Sequence, residues 1–304
     1  MSAAPPSADG PDDDPWTWPT VYRDDLFAGR TVLVSGGGTG IGRAIAVLLA
    51  RLGARVVVCG RTPDKLERVA AEAAGRGLAM VPRGVNIRDP DAVRALFAAV
   101  SAEDGPLAAV VNNAGGQFPQ SAIDFSVKGW NAVVDTNLNG TWYMMQAAAR
   151  HWRDRGTGGA LVNVVAVVDR GIPGIAHSIA ARAGVIGASR TVAVEWAPLG
   201  IRVNCIAPGL TASEGLQVYP PEARREFPLA NPLKRPGTLR EIAEAAVFLA
   251  SPASTFMSGE VMTVDGGGRL WGELWTAGRP EHYRHPDSPA PDAPPGAPPT
   301  AGSD

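Results

Sequence analysis

The sequence has 304 residues, of which 45% are hydrophobic and 19% charged, with a formal net charge of −2. This length and composition are typical of a globular protein with a sizeable core, and α/β chains of this size commonly form one domain. The near-zero net charge, without clustered basic residues, argues against nucleic acid and anionic membranes as partners.

Cys59 and Cys205 are too few for a disulfide framework and lack the spacing of a metal site. We therefore predict two packed, reduced thiols and no metal. No apolar run approaches the roughly 18 residues of a membrane span, and residues 1–20 lack the basic and apolar regions of a signal peptide. These features predict a cytoplasmic protein.

Both ends of the chain are rich in Pro, Asp, Ser and Gly and poor in apolar residues. We predict a disordered or loosely docked tail over residues 1–25, in which only Trp16 and Trp18 favour docking. A second disordered, Pro-rich tail is expected over residues 276–304. One domain is expected between them, over residues 26–275.

Between the tails, short apolar runs alternate with longer segments of helical periodicity. The runs predict buried strands at TVLVS (31–35), RVVVC (55–59), LAMVPR (78–83), LAAVVN (107–112), ALVNVV (160–165), IRVNCI (201–206) and EVMTV (260–264). The predicted helices include residues 42–53, 89–100 and 240–250. This alternation predicts an α/β fold, a doubly wound parallel sheet of about seven strands with helices on both faces, whose ligands lie beyond the carboxyl ends of the strands.

The first predicted strand is followed by a glycine-rich turn, Ser35 to Gly42 (SGGGTGIG), which opens directly into an apolar helix. Glycines leave room for a pyrophosphate to approach the backbone, and the helix N-terminus offers unpaired N–H groups. Turns are also rich in glycine for conformational reasons. The position between strand and helix favours a dinucleotide site.

The second predicted strand ends at Cys59-Gly60, and Arg61 follows where a carboxylate would favour NAD. Arg61, with Arg43 as a second candidate, is suited to pair with the 2'-phosphate of NADP(H). The alternative is a solvated surface arginine.

Three further motifs follow in order: Asn112 to Gly115 (NNAG), Asn137 within DTNLNG, and Pro208-Gly209 after RVNCIA. With the glycine turn, they make the chain resemble the short-chain dehydrogenase/reductase family over residues 26–268. The resemblance implies a single-domain Rossmann-type fold with seven strands and commonly a homotetramer. The predicted cofactor-binding residues are Gly36, Gly38, Thr39, Gly40, Ile41, Arg61, Asn86, Ile87, Asn113, Ala114, Gly115, Arg182, Pro208, Gly209 and Thr211.

The family's usual Tyr-x-x-x-Lys motif and upstream serine are absent. HSIAARAGV (177–185) puts Ser178 at the tyrosine position and Arg182 at the lysine position, and the upstream serine falls on Val165 or Ala166. This segment, with NNAGGQF (112–118), residues 128–145 and residues 264–275, is similar to the peroxisomal trans-2-enoyl-CoA and 2,4-dienoyl-CoA reductase branch, which likewise replaces the motif. That similarity implies an enzyme that uses NADPH to reduce an activated carbon–carbon double bond. The substrate that the similarity favours most is a trans-2-enoyl thioester.

Four residues are the catalytic candidates under this resemblance, each with a structural alternative. Asn137 orients a water or donates from its amide, or else links backbone segments. Ser178 hydrogen-bonds the oxyanion, or else packs on its helix. Arg182 binds the nicotinamide ribose, or else forms a structural ion pair. His177 shuttles protons, or else is a core residue.

Residues 210–237 break the strand–helix rhythm with prolines and charges and resemble the family's substrate lid. Chain-length preference is expected in its apolar residues, Leu216, Val218, Tyr219 and Phe227. Two other functions stay open: an atypical carbonyl or imine reductase (an alcohol dehydrogenase in reverse), and an NADP-binding protein without turnover.

Overall fold

The structure is a computed structural model that describes residues 14–218, 221 and 227–271. At its centre lies one sheet of parallel strands. Its strands are β1 (Thr31–Ser35), β2 (Arg55–Gly60), β3 (Met80–Gly84), β4 (Leu107–Asn112), β5 (Gly159–Val164), β6 (Ile201–Pro208) and β7 (Val261–Val264). Their order is β3-β2-β1-β4-β5-β6-β7, and each neighbouring pair is parallel. The predicted doubly wound sheet of about seven strands is confirmed.

Helices cover both faces of this sheet. Those with described bounds are α1 (Gly40–Arg51), α2 (Pro63–Ala74), α3 (Pro90–Glu103), α4 (Val127–Val134), α5 (Thr141–Arg155), α6 (Ala176–Glu195) and α7 (Leu239–Ala250). Side chains alternate along β1, so that Val32 and Val34 pack with α1 and α7, whereas Leu33 packs with α3 and α5. No helix of the described ranges has the length and hydropathy needed to cross a membrane.

A π-helical segment, Asp135–Gly140, joins α4 to α5 without a break in the helical path. π-helical turns are rare and are frequent at functional sites. This one contains Asn137, which is completely buried. The extra residue in the turn thus sets the direction in which the Asn137 side chain leaves the helix.

Polar side chains fix the starts of two helices. The Asp89 carboxylate accepts hydrogen bonds from the backbone N–H groups of Asp91 (2.9 Å) and Ala92 (3.2 Å) at the start of α3. Thr238 and Glu241 form a reciprocal capping box at the start of α7. Caps of this kind typically contribute about 1 kcal/mol to stability.

The N-terminal segment from residue 14 packs against the body. Trp16 and Trp18 are 8% and 3% exposed, so the docking that their sequence favoured is tight. Trp16 Nε1 donates to the Glu72 carboxylate on α2 (3.1 Å), and the Arg51 guanidinium at the end of α1 donates to the Trp18 carbonyl (2.7 Å). The part of the predicted tail over residues 14–25 is therefore attached to the body, while residues 1–13 and 276–304 lie outside the described residues.

The predicted lid, residues 210–237, is described in part. Short 3-10 helices occupy Glu214–Val218 and Phe227–Ala230, and Leu216 in the first of them is half-buried. Tyr219 lies outside the described residues. Which side chains set chain-length preference therefore stays a prediction.

Cys59 and Cys205 are both buried, and neither forms a disulfide. Burial raises the pKa of the Cys59 thiol to about 12 and that of the Cys205 thiol to about 11. A thiol with so high a pKa is a poor nucleophile at neutral pH, because the thiolate is the reactive form. The two cysteines therefore act as small core residues.

Candidate active site

The carboxyl ends of β1, β4, β5 and β6 lie side by side and carry most of the predicted functional residues. The strand order reverses between β1 and β4, which end at Ser35 and Asn112. In doubly wound sheets, ligands bind in the crevice that this reversal creates. The site is therefore expected above the ends of these two strands.

The glycine-rich turn after β1 has a backbone that only glycine fits well. Gly36 has a φ of 68° and Gly40 a φ of 50°, a region that other residues seldom adopt. A Cβ on Gly42 would collide with the Gly36 carbonyl oxygen and with Nδ2 of Asn113. The turn and the following helix are thus packed directly, backbone against backbone.

The start of α1 is open to an anion. Thr39 precedes the helix without capping it through its side chain, and the first turn holds no acidic residue. The first N–H groups of the helix, from Gly40 and Ile41 onward, have no partner within the helix. A Cβ on Gly40 would meet no atom within 4 Å. These features fit the pyrophosphate of a dinucleotide, which binds helix N-termini of this kind.

The loop after β4 is bonded to the glycine turn. The backbone N–H groups of Asn113 and Ala114 both donate to Ser35 Oγ at 3.1 Å. The Asn113 side chain donates to the carbonyl oxygens of Ser35 (3.2 Å) and Gly36 (3.3 Å). Two of the predicted cofactor motifs therefore form one connected structure.

Arg61 follows the end of β2, is exposed, and forms no ion pair with any described residue. Arg43, the second candidate, instead pairs with Glu72 at 2.6 Å. Lys65 is a further basic candidate for the cofactor site, which the sequence analysis missed. Its Cβ lies 3.2 Å from where a Cβ on Gly38 would be, so Lys65 borders the glycine turn. A basic residue in the first turn of the helix after Arg61 was the available signal.

Asn86 and Ile87 follow β3 and differ in environment. Asn86 is exposed, and its Oδ1 accepts from the Arg88 backbone N–H at 3.3 Å. Ile87 is 4% exposed and packs against Gly140 of the π-helical segment, where a Cβ would collide with it. Ile87 thus connects the end of β3 to the segment that carries Asn137.

Pro208, Gly209 and Thr211 follow the end of β6. The Gly209 N–H donates to the Val264 carbonyl at 2.9 Å, and a Cβ there would press on Asp265. Thr211 is 5% exposed, and its hydroxyl donates to the Gly209 carbonyl at 3.2 Å. This turn borders the site at the side where the predicted lid begins.

Asn137 and Gly116 are joined by a reciprocal pair of hydrogen bonds. The Asn137 amide Nδ2 donates to the Gly116 carbonyl and Oδ1 accepts from the Gly116 N–H, each at 3.0 Å. The second Nδ2 hydrogen is directed to Ser178 Oγ, at 3.4 Å. Both amide hydrogens are therefore used inside the protein, an arrangement that favours the backbone-linking alternative for Asn137 over donation from its amide. Asn137 positions Gly116 and Ser178.

Ser178 lies in the first turn of α6 and is 2% exposed. Because its oxygen accepts from Asn137, its own hydrogen stays available to donate. No tyrosine is found beside it in the described residues: Tyr22 bonds to the Glu244 carbonyl, and Tyr143 lies on α5. Ser178 is thus the hydroxyl group at the position that usually holds tyrosine.

Arg182 is 9% exposed and connects the ends of two strands. Its guanidinium donates to the Val164 carbonyl at 2.7 Å and lies against Gly115, where any Cβ would collide with it. Burial lowers its pKa to about 10, so the group keeps its charge at neutral pH. No carboxylate among the described residues pairs with it, which leaves a buried positive charge facing the site.

His177 is fully buried between two phenylalanines. It stacks on Phe125 with centroids 4.4 Å apart, and Phe118 contacts it edge-on at 4.6 Å. Its Nδ1 accepts from the Ser178 N–H at 2.8 Å, and its Nε2 has no partner among the described residues. This apolar enclosure favours the core-residue interpretation over a proton shuttle that exchanges with water.

Comparison with known proteins places this geometry in a family. The family model described as enoyl-(acyl carrier protein) reductase matches residues 36–268. A Bacillus subtilis protein named "Probable 2,4-dienoyl-CoA reductase" is 37% identical over 243 residues, which are 78% of this chain and 96% of the relative. Gluconate 5-dehydrogenase of Gluconobacter oxydans is 36% identical over 252 residues, 81% of this chain and 98% of the relative.

Solved structures agree with the sequence relatives. A citronellol catabolism dehydrogenase of Pseudomonas aeruginosa superposes with a TM-score of 0.74 at 41% identity, covering 82% of this chain and 99% of the other. The glycine turn, the NNAG loop and the Asn137 segment occupy the places that the sequence motifs predicted. The chain therefore belongs to the short-chain dehydrogenase/reductase family and is an oxidoreductase that uses a nicotinamide cofactor.

Proposed function

We propose that this enzyme is an NADPH-dependent reductase of an activated carbon–carbon double bond, with a trans-2-enoyl thioester as substrate. The observation that carries this proposal is the site itself: Ser178, held by Asn137, replaces the usual tyrosine. A serine hydroxyl is a poor general acid toward an alkoxide, because its ordinary pKa lies far above that of tyrosine. Conjugate reduction needs a hydrogen-bond donor at the thioester oxygen, and a serine suffices for that.

The chemistry supplied by the bound reduced nicotinamide is hydride donation. The residues that would hold this cofactor are the glycine turn, the NNAG loop and Arg182, whose fit was described above. Arg182 stays protonated at neutral pH because its pKa, about 10, is well above 7. It would stabilise negative charge in the site without taking part in proton transfer.

Negative charge develops on the thioester oxygen when the β-carbon of the substrate is reduced. The Ser178 hydroxyl already accepts a hydrogen bond from Asn137. In the proposed mechanism it donates a hydrogen bond to the thioester oxygen. One such donor typically contributes about 2.7–4 kcal/mol of transition-state stabilisation. The α-carbon then takes a proton from water to give the saturated thioester.

NADPH preference is supported by the charges beside the end of β2. Arg61 and Lys65 have no ion-pair partner among the described residues, and no carboxylate follows this strand directly. A 2'-phosphate is attracted to two such cations, whereas the unmodified ribose of NADH gains nothing from them.

The direct test is the loss of nicotinamide absorbance when purified protein, NADPH and a medium-chain trans-2-enoyl-CoA are mixed. We expect NADPH consumption with the saturated acyl-CoA as product. A preparation that binds NADPH and consumes none of it with enoyl-CoA substrates of several chain lengths would contradict the proposal.

A second candidate is oxidation of an alcohol or reduction of a ketone, which the similarity to gluconate 5-dehydrogenase favours. It would require Ser178, His177 or a substrate group to take the role of the tyrosine. Turnover of ketones or hydroxy acids, without turnover of enoyl thioesters, would favour this candidate over the first.

We further propose that the enzyme acts in the cytoplasm as a homotetramer, as is common in its family. Light scattering during size-exclusion chromatography measures the mass directly. A mass close to four times 31.6 kDa is expected, and a monomer would contradict this proposal.

A further inference from the structure

Three loops follow neighbouring strands at the carboxyl edge of the sheet, where the candidate active site lies. The pre-α6 loop (residues 165–175) follows β5 and leads to Ser178, residues 210–237 connect β6 to α7, and the C-terminal turn (residues 265–271) follows β7. Because β6 separates β5 from β7 and neighbouring strands lie about 4.8 Å apart, the first and third loops start roughly 10 Å from each other. Any contact between them therefore spans the end of β6.

Arg170 of the pre-α6 loop makes such a contact. Its Nη1 donates to the Gly268 carbonyl oxygen at 2.7 Å and also to the carbonyl oxygen of Trp271. In the opposite direction, the Arg269 guanidinium pairs with the Asp169 carboxylate at 3.6 Å. Two arginines, one from each loop, therefore join the pre-α6 loop to the C-terminal turn. The Arg170 bonds are charge-assisted, which makes them stronger than hydrogen bonds between neutral groups.

The C-terminal turn is held in shape by its own contacts. The Asp265 carboxylate accepts from the backbone N–H groups of Gly267 (2.9 Å) and Arg269 (2.6 Å). Gly266 and Gly267 have φ values of 61° and 80°, which other residues seldom adopt. The turn therefore has one defined shape, in which its two sides keep a fixed distance from each other.

The C-terminal turn also packs against residues 230–237, which lead into α7. A Cβ on Gly266 would lie 2.9 Å from Asn231 Oδ1, so the backbone of the turn lies directly against that side chain. The Lys234 ammonium lies 4.7 Å from the centre of the Trp271 ring, within the range of a cation–π contact. The turn is thus in contact with both of its neighbours, the pre-α6 loop and residues 230–237.

Residues 230–237 are fixed to the body at their α7 end. The Arg235 guanidinium forms two hydrogen bonds with the Glu241 carboxylate of α7, at 2.6 Å and 3.0 Å. The Asn231 amide Nδ2 donates to the Arg235 carbonyl at 2.7 Å. The end that carries Arg235 is therefore set by α7, whereas the position of residues 230–234 depends also on the C-terminal turn.

We propose that Arg170 is a positioning residue of the substrate pocket. Through the C-terminal turn, which it holds by two carbonyl oxygens, Arg170 fixes residues 230–237 relative to the pre-α6 loop and hence to Ser178. The acyl chain is expected to bind between these elements, so their spacing sets how tightly a substrate is held. The role toward an acyl substrate rests on the proposed function, whereas the coupling of the three loops does not.

Hydrogen–deuterium exchange of the full chain without substrate tests the coupling. Arg170 makes no hydrogen bond or ion pair with residues 230–237, all of which the structure describes. Arg170→Gln should nevertheless speed the exchange of backbone amides in residues 265–271 and in residues 230–237. We expect about tenfold in each, the effect of one lost charge-assisted hydrogen bond on local opening. Faster exchange confined to residues 265–271, or no change, would overturn the proposal.

The matched control is Arg23→Gln, because Arg23 and its partner Asp25 lie in the N-terminal segment with side chains that are both 72% exposed. This variant should leave exchange in residues 230–237 and 265–271 unchanged. Equal acceleration in the control would show that loss of any surface arginine loosens the fold, and would refute the assignment to Arg170.

Steady-state kinetics tests the role toward substrate. With a medium-chain trans-2-enoyl-CoA, Arg170→Gln should raise KM by about tenfold and leave the Kd for NADPH unchanged, because Arg170 lies outside the cofactor motifs. An unchanged KM would overturn the role in the pocket. Absence of turnover by the unaltered enzyme would contradict the proposed function and with it the role toward this substrate, whereas the exchange result decides the coupling independently.

Discussion

Asn137 and Gly116 exchange two hydrogen bonds of 3.0 Å, so one side chain fixes the backbone of the loop that follows the NNAG motif. The same amide reaches Ser178. One buried residue of the π-helical segment thus connects a loop after β4 with the first turn of α6. We expect Asn137 to contribute by orienting these two segments, an effect that substitution can separate from cofactor binding.

Asn137→Asp should abolish most activity. An ionised aspartate can accept from the Gly116 N–H but cannot donate to the Gly116 carbonyl or to Ser178, so both contacts are lost. We expect kcat to fall by about 10²-fold or more, the scale seen for loss of a preorganised donor. Steady-state kinetics beside the Kd for NADPH measures this.

The control for that variant is Asn139→Ala, in the same π-helical segment, where the side chain bonds to Asp135 and to no other described residue. It should keep nearly full turnover. Similar losses in both variants would mean that the segment has unfolded and that Asn137 has no particular role.

Ser178→Ala should lower kcat by about 10²- to 10³-fold while the Kd for NADPH stays unchanged, because the proposed role of the hydroxyl hydrogen is to donate to the reacting oxygen of the substrate and not to the cofactor. Ser189→Ala is the matched control, since Ser189 is a buried serine of the same helix that bonds to Asn163 and Val185. Ser178→Ala with unchanged turnover would eliminate the oxyanion role.

Arg61→Ala should raise the Kd for NADPH by about tenfold and leave the Kd for NADH unchanged, because the proposed partner of this cation is the 2'-phosphate, which NADH lacks. Lys65→Ala should act in the same direction. Arg68→Ala, farther along α2, serves as the control. Fluorescence titration of the unaltered enzyme and of each variant with NADPH and with NADH measures these dissociation constants. Equal affinities of the unaltered enzyme for the two cofactors would contradict the NADPH assignment.

His151 makes stability depend on pH. Burial and the charge of Arg155 lower its pKa below the ordinary value of 6.5. As the pH falls from neutral through 6.5 toward this lowered pKa, the unfolded chain takes up the proton first, and the free energy of unfolding decreases. Below the folded-state pKa both states are protonated and the dependence ends.

His151→Gln should therefore flatten the pH dependence of the free energy of unfolding on the acid side of neutrality. Urea unfolding at several values between about pH 5.5 and 7.5 measures it. A wild-type chain whose stability rises on acidification would contradict the sign of this prediction.

Trp18→Ala should destabilise the protein by about 3 kcal/mol or more, as expected for the loss of a buried indole. Val21→Ala in the same segment is the control, because Val21 is 89% exposed. Thermal unfolding compares the two variants. Equal stability of both would show that the N-terminal segment adds nothing to the fold.

The strands were predictable because each is a short apolar run buried on both faces, as β1 (TVLVS) shows. The position of the glycine turn followed from strand and helix order. The π-helical turn at Asn137 was not predictable, since composition does not reveal a change in hydrogen-bond spacing. The pairing of Arg43 with Glu72 joins residues on two helices, and no local pattern indicates it.

The environment of the catalytic candidates also required coordinates. Ser178 and Arg182 could be placed by their spacing, four residues apart on one helix. The enclosure of His177 by Phe118 and Phe125 depends on the connection between β4 and α4, which is far away in sequence. The sequence therefore indicated where a candidate site lies but left open the surroundings of each candidate side chain.

The docked tryptophans change where the folding unit begins. The family match starts at residue 36, yet Trp16 and Trp18 are buried against helices of the core. A recombinant chain that began just before β1 would lack both indoles, which would leave that apolar surface bare and prone to self-association. For expression, crystallisation and engineering, the unit to keep intact begins upstream of Trp16.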